Sequence, residues 1–192
     1  MQMTQIVGQL HKMAGTVTAT AAVQYKFILK KNGAVIDSLA PVNDYVGQNI
    51  SISYTGKINC IACNRSISKT FQQGYCFPCS KKLAACDMCI LKPQNCHFHL
   101  GTCREPAWGL ANCFIPHIVY LANTSGLKVG ITRETQIPTR WIDQGAVQAL
   151  PIFRVKNRYH SGLVEVVIKK WVADKTDWRK MLKGQSENIV LD

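Results

Sequence analysis

The structure of the middle of this chain is determined by the stretch Cys60-Ile-Ala-Cys63, which is followed after twelve residues by Cys76-Phe-Pro-Cys79. Each CxxC turn presents two thiolates, and four thiolates complete the tetrahedral coordination that Zn²⁺ prefers in structural sites. The sequence therefore predicts a zinc site whose ligands are Cys60, Cys63, Cys76 and Cys79.

All nine cysteines lie between Cys60 and Cys113. Their number is odd, and the first residues, Met-Gln-Met-Thr-Gln-Ile, show neither the charged region nor the apolar region of a secretion signal. Disulfides form mainly in oxidising compartments. We therefore expect a cytoplasmic protein that uses its cysteines as metal ligands.

A second metal site is predicted to begin at Cys86-Asp-Met-Cys89. Its predicted ligands are Cys86, Cys89, Cys96 and Cys103, which would bring the chain to two structural zinc ions. The spacing leaves alternatives open, because His99 or Cys113 can replace either of the last two ligands and ligands can interleave between the sites. His97 and His99 can instead form hydrogen bonds beside the metal, to backbone or to thiolate sulfur.

The charge of the chain indicates a polyanionic partner. The sequence contains 23 Lys and Arg residues and 11 Asp and Glu residues, which gives a formal net charge of +12. The chain stays basic even if eight cysteines ionise around two Zn²⁺ ions. DNA or RNA is therefore the expected partner, with a merely solvated basic surface as the alternative. No apolar run reaches the ~18 residues that suggest a membrane span, so no membrane association is expected.

Residues 1–59 are predicted to be rich in β-structure. Apolar residues alternate with polar ones through Val23–Leu29, and Asn32-Gly33 is typical of a tight turn leading to a return strand at Ala34–Ile36. Ile50–Tyr54 alternates again. These patterns predict a small sheet or a partial barrel.

Residues 60–116 form the predicted zinc-binding segment, which has too few apolar residues for a core of its own, so that metal replaces the core. Residues 117–192 form a third segment of strands and helices. It begins with a predicted hairpin whose strands are Ile118–Leu121 and Lys128–Thr132.

Two helices and one further strand are predicted after this hairpin. Thr135 is expected to cap a helix that ends at Gly145, and a strand follows at Leu150–Val155. A longer helix from about Ser161 is expected to bury an apolar stripe formed by Leu163, Val164, Val167, Ile168 and Trp171.

The order hairpin, helix, strand, helix, with Tyr120, Lys128-Val-Gly130, Arg140 and Glu165 in sequence, is similar to the GIY-YIG nuclease domain. More of the chain resembles an uncharacterised group of bacterial proteins that join a zinc-binding segment to such a domain; the relevant stretches are the CxxC array, His117-Ile-Val-Tyr-Leu-Ala and Gly126-Leu-Lys-Val-Gly-Ile-Thr-Arg. The expected fold class is therefore α+β, with an N-terminal β-rich part, a central zinc-knuckle segment and a C-terminal GIY-YIG-like α/β domain.

The resemblance implies roles for single residues. Tyr120 would help to activate water, Arg140 would stabilise negative charge, and Glu165 would hold a catalytic Mg²⁺ or Mn²⁺ ion against the scissile phosphate. Lys128 stands where the family has its second tyrosine and would contact phosphate or act as a base. Gln144 stands where a histidine is common.

Simpler interpretations exist for the same residues. Glu165 and Lys169 have the spacing of a helix-surface ion pair, and Tyr120 has the position of an ordinary core tyrosine. Cys113 and His117 can also be considered as a nucleophile and its base, although a spare ligand or a buried thiol explains Cys113 as well.

Three functions follow from these interpretations. The leading prediction is a metal-dependent phosphodiesterase, that is, a nuclease acting on DNA or RNA. The second is a non-catalytic module that binds nucleic acid or ribonucleoprotein on the same scaffold. The third is a zinc-stabilised adaptor for protein partners.

Overall fold

A computed structural model describes residues 6–20, 22–31, 34–36 and 41–191. The protein mixes helices with small antiparallel sheets, which agrees with the predicted α+β class. It divides into two compact units, residues 1–80 and residues 81–192. The boundary between them falls inside the predicted zinc-binding segment.

The first unit begins with an antiparallel sheet of three strands in the order β1-β2-β3. The strands are β1 (Gln9–Val17), β2 (Val23–Lys31) and β3 (Ala34–Ile36). Asn43 extends one end of β2, because its side chain accepts from the Tyr25 N–H at 2.8 Å and donates to the Val23 carbonyl at 2.9 Å. The predicted strand and its return strand are thus confirmed, while the predicted turn at Asn32-Gly33 lies outside the described residues.

Of the two predicted alternatives for the first segment, a small sheet and a partial barrel, the described residues form the small sheet, which is open and not a closed barrel. Another expectation for this segment is wrong. The stretch Ile50–Tyr54 is not a strand, although its residues alternate between apolar and polar. Ile52 and Tyr54 are more than two-thirds exposed, so this stretch has no neighbouring surface that would stabilise strand pairing.

The first unit ends with the two CxxC turns and little regular structure. A two-residue strand pair, β4 (Ile58–Asn59) and β5 (Ser66–Ile67), surrounds the first turn. The helix α1 (Phe77–Lys82) follows Cys76 and contains the boundary between the two units.

The second unit begins with short helices and 3₁₀ turns. The helices are α2 (Met88–Leu91) and α3 (Pro106–Asn112). Three 3₁₀ turns surround them, at Ala84–Cys86, Pro93–Asn95 and Phe98–Leu100.

The core of the second unit is an antiparallel sheet in the order β7-β6-β8. Its strands are β6 (His117–Asn123), β7 (Leu127–Arg133) and β8 (Gln148–Val155), so the predicted hairpin and the predicted third strand are confirmed. One face of β6 carries Ile118, Tyr120 and Ala122, and these pack against partly buried residues, namely Ile137, Trp141, Ala146 and Ala149.

The remaining helices are α4 (Thr139–Asp143), α5 (Arg158–Ile168) and α6 (Trp178–Leu182). Helix α4 ends as predicted with Gly145 in the left-handed region, at φ 65°. The predicted cap at Thr135 is wrong, because residues 134–136 form a separate 3₁₀ turn and Ile137 is extended. A residue that precedes proline disfavours helical backbone angles, which explains why the helix begins only after Pro138.

Helix α5 begins at Arg158, three residues earlier than predicted, because the side chain of Asn157 caps it by accepting from the His160 N–H at 3.0 Å. The predicted apolar stripe is only partly buried, since Leu163 and Val167 are exposed. The buried face of α5 instead carries Ser161 and Gly162, two small residues that allow close approach of neighbouring backbone.

None of the helices in the described part of the chain is long and apolar enough to cross a membrane.

Candidate functional site

The first cysteine site contains Cys60, Cys63, Cys76 and Cys79, whose sulfur atoms all lie within 4.8 Å of one another. Turn geometry brings them together. The Asn64 N–H donates to the Cys60 carbonyl at 2.9 Å, and Asn64 itself adopts φ 56°. The Ile61 N–H donates to the Gly74 carbonyl at 3.0 Å and joins the two turns.

The geometry of this site fits a tetrahedral metal ion. A Zn–S bond of about 2.3 Å in a tetrahedron places neighbouring sulfur atoms about 3.8 Å apart. The sulfur atoms of Cys63 and Cys76 are separated by 3.8 Å. The Cys76 N–H also donates to the Cys60 sulfur at 3.2 Å, a hydrogen bond that favours a thiolate. These four cysteines can hold a metal ion such as zinc.

The thiols of this site compete for negative charge. Burial opposes ionisation of Cys60, but hydrogen bonds from the backbone of Cys63, Cys76 and Ala62 lower its pKa to about 6. The pKa of Cys79 is raised to about 12, chiefly by its hydrogen bond with Cys76 and then by burial. A divalent cation between the sulfur atoms would remove this conflict, because it favours the thiolate form at every position.

The cysteines of the second unit are arranged differently. Cys89, Cys96, Cys103 and Cys113 line one cavity, and Cys86 is not among its lining residues. Cys86 is buried and ends the 3₁₀ turn that precedes α2. The assignment of Cys86 as a ligand together with Cys89 therefore stays a prediction, which the lining of this cavity does not support.

A polar network lies beside this cavity, around Asp87. Its carboxylate accepts from Arg104 Nε at 2.7 Å and from the Cys89 N–H at 3.4 Å, and it lies 3.4 Å from His97 Nε2. His97 Nδ1 forms a hydrogen bond with Thr102 Oγ1 at 2.7 Å. His97 thus belongs to a hydrogen-bond network next to the cysteines, whereas His99 is exposed.

The pair Cys113 and His117 lacks the features of a nucleophile and its base. His117 is fully buried, and its Nδ1 donates to the Ile115 carbonyl at 2.8 Å. Burial lowers the pKa of His117 and raises the pKa of Cys113, so neither residue is prepared for thiolate chemistry.

A polar cluster lies on the core face of the β6-β7-β8 sheet, around Tyr120. Tyr120 lies opposite Gly130 on β7, and a methyl group added to Gly130 would lie 2.7 Å from the Tyr120 ring. The Tyr120 hydroxyl donates to Gln144 Oε1 at 2.7 Å. The absence of a side chain at Gly130 therefore makes room for the tyrosine ring.

Arg140 and Glu165 reach the same cluster from two helices. Burial raises the pKa of Tyr120, the charge and hydrogen bond of Arg140 oppose this shift, and the charge of Glu165 adds to it. Burial and then the charge of Asp174 raise the pKa of Glu165, against the opposing charges of Arg158, Lys169 and, last, Arg140. Arg140 is exposed and Glu165 is half-buried. The predicted residues Tyr120, Arg140 and Glu165 thus influence one another electrostatically.

Lys128 lies on the same sheet face but is engaged elsewhere. It is 4 % exposed, and its ammonium group donates to Thr176 Oγ1 at 2.7 Å. Burial and then the charge of Arg140 lower its pKa. Thr176 was not foreseen, because it lies 48 positions further along the chain and no local pattern marks it.

The helix spacing suggests that Glu165 pairs with Lys169, but the salt bridge of Lys169 in the described residues is with Asp174. Lys169 Nζ lies 4.0 Å from Asp174. The charge of Lys169 still lowers the pKa of Glu165, after that of Arg158 and ahead of that of Arg140.

Comparison with curated proteins and with solved structures finds no match for this chain. No GIY-YIG family matches the chain either, so the comparisons do not support that resemblance. The family DUF2797, described as a protein of unknown function, matches residues 47–192. Because this match spans more than half of the sequence, the chain belongs to the DUF2797 family.

Proposed function

We propose that this protein is a metal-stabilised, nucleic-acid-processing enzyme, a divalent-metal-dependent phosphodiesterase of GIY-YIG type that acts on DNA or RNA. The observation that carries the proposal is the proximity of Tyr120, Arg140 and Glu165, which is close enough for their charges to interact. These residues come from one strand and two helices, and the pKa of Tyr120 responds to both of the others.

Each residue then has a defined task. The exposed Arg140 guanidinium presents a planar set of donors that matches phosphate oxygens. The half-buried carboxylate of Glu165 offers one oxygen ligand to Mg²⁺ or Mn²⁺, which usually keep several water ligands. Bound there, the cation would polarise the phosphate and lower the pKa of a water molecule. The Tyr120 hydroxyl is oriented by Gln144 and Arg140.

A raised pKa at Glu165 supports a functional role. Burial beside Asp174 makes the ionised carboxylate unfavourable in the free protein. Clefts that bind substrate commonly contain such perturbed groups, because function and not stability selects them. A cation would relieve the repulsion between the two carboxylates.

The second candidate is a module that binds nucleic acid without cleaving it. Two observations favour it. Tyr120 is fully buried and has a raised pKa. Lys128, which stands in place of the second motif tyrosine, donates a hydrogen bond to Thr176. A tyrosine with a raised pKa is rarely ionised near neutral pH, so it is less available as a general base. The net charge of +12 suits either candidate, since both need attraction to phosphate.

A cleavage assay separates the two candidates. The full chain is incubated with labelled single- and double-stranded DNA and RNA, with Mg²⁺, Mn²⁺ or EDTA. The nuclease proposal predicts metal-dependent cleavage that Glu165→Gln abolishes, while circular dichroism shows an intact fold. The matched control is Glu134→Gln, which removes a carboxylate that is bonded to Arg154 at 2.7 and 3.0 Å and lies outside the cluster.

Binding is measured on the same samples at increasing salt. Binding that weakens steeply with salt, without cleavage under any metal, supports the second candidate and contradicts the first. The absence of both binding and cleavage contradicts both candidates, and leaves the adaptor hypothesis, for which retention of protein partners would survive nuclease treatment.

A further inference from the structure

We propose that Cys89, Cys96, Cys103 and Cys113 form a second metal site for Zn²⁺ or a similarly thiophilic divalent cation, with Cys86 outside the ligand set. The proposal concerns the second unit alone and does not depend on the proposed nuclease activity. It differs from the sequence prediction at one position, where Cys113 replaces Cys86.

The cavity itself is the first observation. Four sulfur-bearing side chains face it, from α2, from the chain on either side of the 3₁₀ turn at Phe98–Leu100, and from the end of α3. Apolar residues complete its walls, including Ile90, Trp108 and Phe114. Thiolates inside an apolar wall are typical of structural zinc sites, where four ligands close the shell and exclude water.

Arg158 supplies the second observation. It lines a second cavity that Cys89, Cys96 and Cys113 also line. Its Nη2 donates to the Ile90 carbonyl at 2.5 Å, while its buried Nε has no hydrogen-bond partner among the described residues.

One Zn²⁺ with four thiolates carries a charge of about −2, which a buried guanidinium would partly balance. The unpartnered Nε–H is available as a donor to thiolate sulfur, the kind of outer contact that orients ligands in metal sites.

The site would also fix helix α5. The Arg158 N–H donates to the Cys113 carbonyl at 2.8 Å, so the helix begins directly on a proposed ligand. Further along, a methyl group added to Gly162 would lie 2.6 Å from Pro93, which precedes Cys96 in the chain. The proposed ligand Cys113 is thus bonded to the start of α5, and the 3₁₀ turn that precedes Cys96 packs against Gly162 of the same helix.

In the described part of the second unit, the group whose possible ligand atoms lie within 4.8 Å of one another is Asp87, Cys89 and His97. Asp87 is already engaged by Arg104 at 2.7 Å and by the backbone at Cys89. An ion pair of this kind satisfies the carboxylate without a metal. We therefore assign Asp87 and His97 to the network around the site and not to the ligand set.

Metal content of single variants tests the assignment. The full chain is purified with zinc and analysed by native mass spectrometry and elemental analysis. The unsubstituted protein is expected to hold two zinc ions per chain, and Cys113→Ser is expected to hold one. The controls Cys86→Ala and His97→Gln are expected to keep both ions. Retention of both ions by Cys113→Ser, or loss of one from either control, would overturn the assignment.

A second measurement covers the case in which Cys113→Ser does not fold. The unsubstituted protein is treated with iodoacetamide after addition of a strong chelator, and alkylation of each cysteine is followed by peptide mass spectrometry. Cys113 is expected to become reactive in the same kinetic phase as Cys89, Cys96 and Cys103. Alkylation of Cys113 at the same rate before and after chelation would contradict its role as a ligand.

Discussion

The first cysteine site and the Tyr120 cluster are built in opposite ways. The cysteine site takes its four side chains from two short turns, within a stretch that has little regular structure. The Tyr120 cluster takes its polar groups from strands and helices that are far apart in sequence, above a hydrophobic core. In the first region the metal ligands replace a core, and in the second the core positions the polar groups.

This difference predicts which interactions keep each region ordered. Residues 57–80 have few buried apolar side chains, so their order depends on the bonds among sulfur atoms and backbone. The sheet of the second unit has Val119, Tyr120, Ala122 and Val129 at 1 % exposure or less. We therefore expect removal of one ligand to disorder the first region, and removal of one polar group to leave the sheet intact.

The largest effect is expected for Cys76→Ser, which removes a ligand of the first site. Structural zinc contributes about 10–16 kcal/mol of apparent binding free energy in small zinc domains at neutral pH. Amide hydrogen exchange of residues 58–80 should rise by at least about tenfold, whereas β6 and β7 should keep their protection.

The control is Ser68→Ala, at an exposed position between the two turns. It should retain the metal and the exchange pattern of the unsubstituted protein. Unchanged exchange in Cys76→Ser would break the comparison, because it would show that residues 58–80 hold their structure without a complete ligand set.

The next effect is expected for Gly130→Ala in the core of the second unit. The added methyl group would lie 2.7 Å from both Cζ and the hydroxyl of Tyr120, which is tighter than real contacts allow. Overpacking of a buried site costs about 1–3 kcal/mol, so the melting temperature should fall by several degrees.

The matched control is Gly126→Ala in the same hairpin. There the methyl group meets only the flexible end of Glu187, at 2.9 Å, so the side chain can move away. Equal destabilisation by the two substitutions, measured by thermal unfolding, would show that the close fit between Gly130 and Tyr120 has no special importance.

The sequence was most informative where ligands come in local pairs. The CxxC spacing of Cys60 and Cys63 fixes a turn, and two such turns have few ways to combine, so the observed grouping could be predicted. The strands of the second unit could also be predicted, because β-branched residues cluster in β6 and β7.

The sequence was least informative where tertiary packing decides. The spacing of the later cysteines is irregular, and the position of Cys113 beside Cys89 depends on how α3 leads into β6. The contacts of Lys128 with Thr176 and of Tyr120 with Gln144 join residues 48 and 24 positions apart. No local periodicity encodes such pairs. The partial exposure of Leu163 and Val167 likewise follows from which face of α5 meets its neighbours.

A smaller effect is expected for the hydrogen bond between Tyr120 and Gln144. Tyr120→Phe and Gln144→Leu each remove one partner of the 2.7 Å contact. A neutral hydrogen bond contributes about 0.5–1.5 kcal/mol, so a double-mutant cycle should give a coupling free energy of about 1 kcal/mol. A coupling near zero in chemical denaturation would show that the core holds Tyr120 without help from its hydroxyl.

The smallest effect is expected for Glu165→Gln, and its sign is the test. Burial, together with the charge of Asp174, raises the pKa of Glu165 above its ordinary value. The native state therefore binds its proton more tightly than the unfolded chain does, and stability falls as pH rises through the interval between the two pKa values. Glu165→Gln removes this cost, so it should raise the melting temperature at pH 7 and lose this advantage near pH 4.

Glu134→Gln provides a control of opposite sign. The hydrogen bond with Arg154 lowers the pKa of Glu134, so its carboxylate contributes stability above its ordinary pKa and loses that contribution as pH falls. Glu134→Gln should therefore lower the melting temperature slightly at pH 7 and have no effect at low pH, because the pair is exposed and screened. If Glu165→Gln destabilises the protein in the same way, Glu165 is a structural ion-pair partner. The Tyr120 cluster would then stabilise the fold, and its comparison with the cysteine site would not concern function.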